Sequence, residues 1–218
     1  MLTCHNITCS RNSRLLFKNL GFTIGAQGLL IIRGANGSGK TSLLKIITGI
    51  IAPDTGTITW NKKNIFADYG HYKSSTIYIG HQNALNHSLT VRANLEFWAA
   101  LFGAEERLAA AIHYFKLDRV LELEYHKLSA GWKKRTALAK LLISDAGLWL
   151  LDEPTANLDK ECTNLLLDLV NTFCEREGIV IMTANQDMQH MAQDIRYADK
   201  LYIEDFINPI NSIKSTDP

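Results

Sequence analysis

The densest chemistry in the chain lies in "GANGSGKT", Gly34 to Thr41, which fits the spacing G-x-x-x-x-G-K-[ST]. Glycines let a backbone wrap closely around phosphate oxygens, and the following helix start adds about half a positive charge. Gly34, Ala35, Asn36, Gly37, Ser38 and Gly39 would form that cradle. Lys40 brings a full charge to the terminal phosphates, and the Thr41 hydroxyl is a ligand for Mg²⁺. At a glycine frequency of about 7%, chance matches arise on the order of once per hundred chains or fewer. The preceding "LLIIR" and following "KTSLLKIITGI" supply the strand and helix that the loop needs.

Two further stretches carry chemistry only in company. "LWLLDEP" is an apolar strand ending in Asp152, a candidate Mg²⁺ ligand, and Glu153, a candidate general base for an attacking water. "LSAGW" precedes a helix: Ser129 suits its N-cap, and Gly131 in the first turn would expose backbone N–H groups to an anion. A second phosphate-seeking helix start, remote from the first, implies that two molecules share one nucleotide.

These residues need a scaffold. Strand signals at "LTCHNIT", "LGFTI", "LLIIRG", "GTITW" and "TIYIG" give way to helical patterns over 90–142, then to "GLWLLDE", a helix over 159–177, "GIVIMT", another helix and a strand near "KLYIED". In the helix after the glycine-rich loop, Leu43, Leu44, Ile46, Ile47 and Ile50 recur with helical spacing. Strand–helix alternation predicts an α/β domain with a mostly parallel sheet and ligands at its carboxyl edge, interrupted by an all-helical insert. We expect one domain over 1–205 and a polar tail over 206–218.

Composition narrows the classes. A net charge of +1 gives no electrostatic case for nucleic acid or an acidic membrane surface. The longest apolar runs, "LLII" and "LWLL", are strand-sized, so no membrane insertion is expected, and "MLTCHNITCS" does not read as a secretory signal. Cys4, Cys9, Cys162 and Cys174 lack C-x-x-C spacing and read as reduced core thiols.

Together and in this order, the motifs resemble those of ATP-binding cassette (ABC) ATPases over nearly the whole chain. "GANGSGKT" looks like the family's phosphate loop, "LSAGW" its signature, "LLDEP" its Mg²⁺ and base strand, and "NLD" (Asn157 to Asp159) its D-loop. Gln82 in "IGHQ" falls where the family has a glutamine that senses Mg²⁺ and meets the membrane partner. The resemblance implies a P-loop NTPase core with an N-terminal β subdomain and a helical subdomain over about 90–142. It also implies ATP and Mg²⁺ as cofactors and a head-to-tail homodimer on ATP binding. Nucleotide contacts would then come from Gly34–Thr41, Gln82, Ser129, Gly131 and Asp159, metal ligands from Thr41, Gln82 and Asp152, and catalysis from Lys40, Glu153 and Asn185.

Short length and "GHQNALNHSLTVRANLEFWAALFG" look most like the cytochrome c maturation (haem exporter) subfamily. That likeness implies an integral membrane permease partner, no nucleic acid, and a peripheral place on the cytoplasmic face of a bacterial inner membrane. The permease would dock in a groove between Gln82 and the helical insert, where Phe97, Trp98 and Phe102 are either lining or core. Two alternatives stand: an ATP-gated dimerising clamp with little hydrolysis, and a soluble cassette outside transport.

Three positions depart from the family pattern. Arg11 and Arg14 stand where an aromatic residue usually stacks on adenine; a guanidinium plane can do the same, or the pair forms a solvated turn. Asn185 in "TANQD" occupies the place of the switch histidine, keeping a donor and an acceptor but no cationic form, which predicts slow turnover. His190, five residues on, is a weak substitute. Trp132 replaces a usual glutamine and either stacks on nucleotide or packs under its helix; the basic run Lys133, Lys134 and Arg135 beside it either faces phosphate or solvent.

Overall fold

The computed structural model describes residues 1–184 and 198–207. Five parallel strands form its centre: β3 (Leu29–Arg33), β6 (Thr76–Ile79), β7 (Leu148–Leu151), β8 (Ile179–Ala184) and β9 (Ala198–Tyr202). They lie in the order β6-β7-β8-β3-β9. Both faces are covered, and alternate side chains feed two cores. Leu30, Ile32, Leu148, Leu150, Ile179 and Ile181 face one; Leu29, Ile31, Trp149, Leu151, Val180 and Met182 face the other.

The first face packs on α1 (Lys40–Ile47), beyond which lies a four-stranded antiparallel sheet. That sheet comprises β1 (Leu2–Arg11), β2 (Arg14–Ile24), β4 (Thr55–Trp60) and β5 (Lys63–Asn64), ordered β2-β1-β4-β5. Leu43, Leu44, Ile46 and Ile47 bury against both layers. Ile50 does not join them: α1 stops at Ile47, and Ile50 is 58% exposed on the loop beyond. A short helix α2 (Tyr69–Ser74), capped by Asp68, follows; six residues carry too little periodicity to be read from sequence.

The second face carries the helical insert. Its helices are α3 (Val91–Phe102), α4 (Leu108–Tyr114) and α5 (Ala130–Ile143), joined by 3₁₀ turns. Thr90 caps α3 by accepting from the Ala93 N–H. Helix α6 (Lys160–Glu175) packs on the same face through Cys162, Leu166, Leu167 and Val170. All four cysteines are free, and three are fully buried. Phe206 and Ile207 pack, partly buried, against the first core. The remainder of the expected tail and the expected helix after β8 lie outside the described residues.

Candidate functional site

Parallel register brings the chemistry to one edge. Arg33 at the end of β3 pairs with Ala184 of β8, and Leu151 of β7 pairs with Met182. The glycine-rich loop, Asp152 and Thr183 therefore leave neighbouring strands side by side. Asp152 and Thr183 are buried, and the Thr183 hydroxyl donates to Asp152 Oδ1 at 2.8 Å.

The loop is held open by its own backbone. Gly39 caps α1 at φ 109°, a left-handed conformation that glycine adopts without penalty, and no side chain caps the helix. With no acidic residue in that first turn, its N–H groups are left for an external anion. Among the described residues the Ser38 hydroxyl is buried without a hydrogen-bond partner. The buried Lys40 ammonium arches across the loop and donates to the carbonyls of Gly34 (2.8 Å) and Ala35 (3.1 Å). Its third proton remains for a ligand.

Thr41 on α1 donates to Asp152 Oδ2 at 2.7 Å, across 111 residues of sequence. Two hard oxygen donors thus sit together at the mouth of the loop, a donor set that suits Mg²⁺. A cavity of about 250 Å³ opens there, lined by Arg11, Leu16, Asn36, Gly37, Gly39, Lys40, Thr41, Ser42 and Glu153. Arg11 joins this cavity; Arg14 is not among its lining. Glu153 faces it from a left-handed backbone, φ 44°.

Other expected site residues lie elsewhere in the same chain. Gln82 lines a separate cavity of about 520 Å³ with His81, Asn83, His87, Tyr125 and Lys133. Ser129 caps α5 as expected, accepting from the Trp132 N–H, but neither it nor Gly131 lines the phosphate cavity. Asp159 caps α6, accepting from the Cys162 N–H at 2.8 Å, and pairs with Arg135 at 2.5 Å. These contacts, the backbone N–H first, hold its carboxyl below the usual range. Asn185 and His190 lie outside the described residues.

Two features of the signature come from packing. Gly131 has a packing reason that sequence could not reveal: a Cβ there would lie 2.9 Å from the Asn157 carbonyl oxygen. The run after Trp132 faces neither phosphate nor solvent as a unit. Lys134 and Arg135 are buried, Lys134 donating to the Asp152 carbonyl at 3.2 Å. Burial lowers the Lys134 pKa, while Asp152 and Glu153 favour its charged form. Trp132 packs half-buried against the core with the Arg135 guanidinium 4.7 Å over its ring, which favours the packing reading.

Three contributors escaped sequence reading. Thr183 accepts from the Glu153 N–H at 2.8 Å as well as bonding Asp152. Lys134 holds the adjoining carbonyl. Glu204 accepts from the Ala35 N–H at 2.6 Å and so pins the loop's entry from 169 residues away. None has a local sequence signal.

The ABC transporter family profile matches residues 17–156, spanning the phosphate loop, the signature and the Asp-Glu strand. The chain belongs to the ABC transporter family. The cytochrome c biogenesis ATP-binding export protein CcmA of Wolbachia pipientis wMel is 44% identical over 207 residues, covering 93% of this chain and 100% of the relative. The CcmA of Rickettsia felis is 38% identical, with 93% and 100% covered, and that of Paramagnetospirillum magneticum 36%, with 92% and 93%. Among solved structures, a dimeric ATP-binding cassette bound to ADP and Pi superposes with a TM-score of 0.79. It is 20% identical, and the match covers 93% of this chain and 94% of that one, so it bears on the fold alone. The cassette architecture of an NTPase core, β subdomain and helical insert is therefore the fold of this family member.

Proposed function

We propose that this cassette binds and hydrolyses ATP as the peripheral ATPase of a membrane transporter complex. The task would be cytochrome c maturation, through haem export or release of a haem-bound maturation factor. The hydrolytic reading is carried by one observation: Thr41, Asp152 and Glu153 converge at the mouth of a loop whose helix start and Lys40 await an anion. The assignment to cytochrome c maturation is supported by the relatives' names and coverage.

In this reading the amides of α1's first turn and the free Lys40 proton take the β- and γ-phosphates. Arg11 offers its guanidinium plane to adenine. Thr41 and Asp152 would hold Mg²⁺, which when bound neutralises charge building on the phosphate oxygens. Glu153 orients the attacking water and accepts its proton. A second copy completes the site, its exposed Ser129 and the amide of Gly131 closing on the γ-phosphate, with Asp159 and Gln82 engaged at closure. Basal turnover is slow because Asn185 cannot supply a cationic donor.

No helix among the described residues is long and apolar enough to cross a membrane. Attachment at the cytoplasmic face of a bacterial inner membrane would therefore come through an integral permease subunit. A groove of about 590 Å³ suits its docking segment; Ile50, Tyr69, Lys73, Trp98, Leu101 and Phe102 are among its lining. Trp98 and Phe102 face it, whereas Phe97 is 58% exposed outside it. Its two charged lining residues are Lys73 and Lys140, so the complement is an apolar segment bearing a carboxylate.

The test is phosphate release by the complex purified from membranes, wild type beside Glu153→Gln. Release by the wild type with a loss of about 10²–10⁴ in the variant supports hydrolysis by this base. Wild-type protein that binds ATP and dimerises without releasing phosphate would instead be a clamp.

A further inference from the structure

The peptide joining Asp152 to Glu153 is gripped at both polar ends by side chains from different elements. Its N–H donates to Thr183 Oγ1 of β8 at 2.8 Å. Its carbonyl accepts from the Lys134 ammonium of α5 at 3.2 Å. Thr183 is fully buried, and Lys134 is 6% exposed. A peptide group is planar, so fixing its N–H and its C=O fixes its orientation. Glu153 then leaves that plane at φ 44°, a left-handed conformation that is strained for a residue with a side chain. Such a backbone persists only where its surroundings over-determine it.

We infer that Lys134 is a positioning residue for Glu153, tying the direction of the carboxylate to the position of the signature helix. Lys134 lies five residues after Ser129 on the same helix, so a displacement of α5 moves its ammonium relative to β7. Thr183 belongs to the sheet and supplies the fixed reference. When the Ser129 turn engages a second copy's nucleotide, the hold on the Asp152 carbonyl changes in the same movement. The base on this chain thereby senses whether the signature is engaged. This inference rests on the general-base reading of Glu153 and adds to it a residue that never touches ATP.

The test compares Lys134→Met, Lys134→Arg and Glu153→Gln in the membrane-purified complex. Methionine keeps an unbranched chain without a donor, whereas arginine restores donors at similar reach. Lys134→Met is expected to bind a fluorescent ATP analogue within about twofold of wild type while kcat falls about tenfold or more, a split that marks loss of transition-state rather than ground-state interactions. Lys134→Arg should recover at least half of wild-type kcat. A Met variant with normal kcat, a raised KM at unchanged kcat, or failure of Arg to rescue would overturn the inference. If Glu153→Gln kept full hydrolysis, the base reading itself would fall and this inference with it. Normal Lys134→Met beside a dead Glu153→Gln would remove this inference alone. Should Lys134→Met not fold, Thr183→Ser and Thr183→Val probe the same peptide from its other end. Serine should keep kcat and valine lose it; equal kcat in both would overturn the two-ended grip.

Discussion

Gly131 packs against the carbonyl of Asn157 so closely that an added methyl would stand 2.9 Å from the oxygen. The signature helix and the D-loop of one chain are therefore a single packed unit. Arg135 reinforces it by pairing with Asp159 while lying over Trp132. In the dimer proposed above, both segments would face the same nucleotide of a second copy.

Gly131→Ala should displace the D-loop, because the obstructing atom is backbone and cannot rotate away. Overpacking of this kind costs roughly 1–3 kcal/mol, against a helix-propensity gain of up to about 1 kcal/mol. We expect Tm to fall by about 2–6 °C and ATP-driven dimerisation to weaken, with nucleotide binding by the single chain retained. Calorimetry and size-exclusion chromatography with ATP in a Glu153→Gln background read both effects; an unchanged dimer would show that the packing is slack.

Lys140 is a buried amine on α5, donating to the Asn83 carbonyl at 2.8 Å and lying 4.4 Å over the Trp98 ring. Burial lowers its pKa to about 8. Below pH 8 both folded and unfolded chains carry the charge, and the burial penalty is complete. Between pH 8 and the ordinary lysine range the folded amine releases its proton first, so stability must rise with pH. The Tm of wild type relative to Lys140→Met should therefore climb from pH 8 to pH 10. A flat difference would mean the amine stays charged.

Leu101 is 60% exposed at the rim of the apolar groove. Leu101→Asp sets a charge where an apolar contact is expected, and should sharply reduce the membrane protein that co-purifies with the tagged chain. ATP binding should be untouched, since the groove shares no lining residue with the phosphate cavity. Full recovery of the permease would remove this face from consideration.

In the proposed site, Asn185→His would supply a side chain that can become cationic toward phosphate. Charge-assisted bonds are roughly twice as strong as neutral ones, so basal phosphate release should rise. Unchanged rates would make the position silent and take away the reason given for slow turnover.

The phosphate loop, the helical insert and the succession of strands and helices along the chain were legible in the sequence because each is written in contiguous residues. A glycine spacing dictates a loop's backbone, and a period of two or 3.6 dictates which face is apolar. Even the cap at Ser129 is local. Tertiary structure alone decided the rest, since it depends on which strand tips become neighbours. Parallel register set Thr183 beside Asp152 and Glu153, and chain return from β9 brought Glu204 to Ala35. The basic run after Trp132 read as facing either phosphate or solvent; only the fold supplied a backbone carbonyl for buried Lys134 and the surface carboxylate of Asp159 for Arg135. Gly131 carries the same lesson: its sequence position announces a helix start, while its need for hydrogen in place of a side chain comes from a carbonyl 26 residues away.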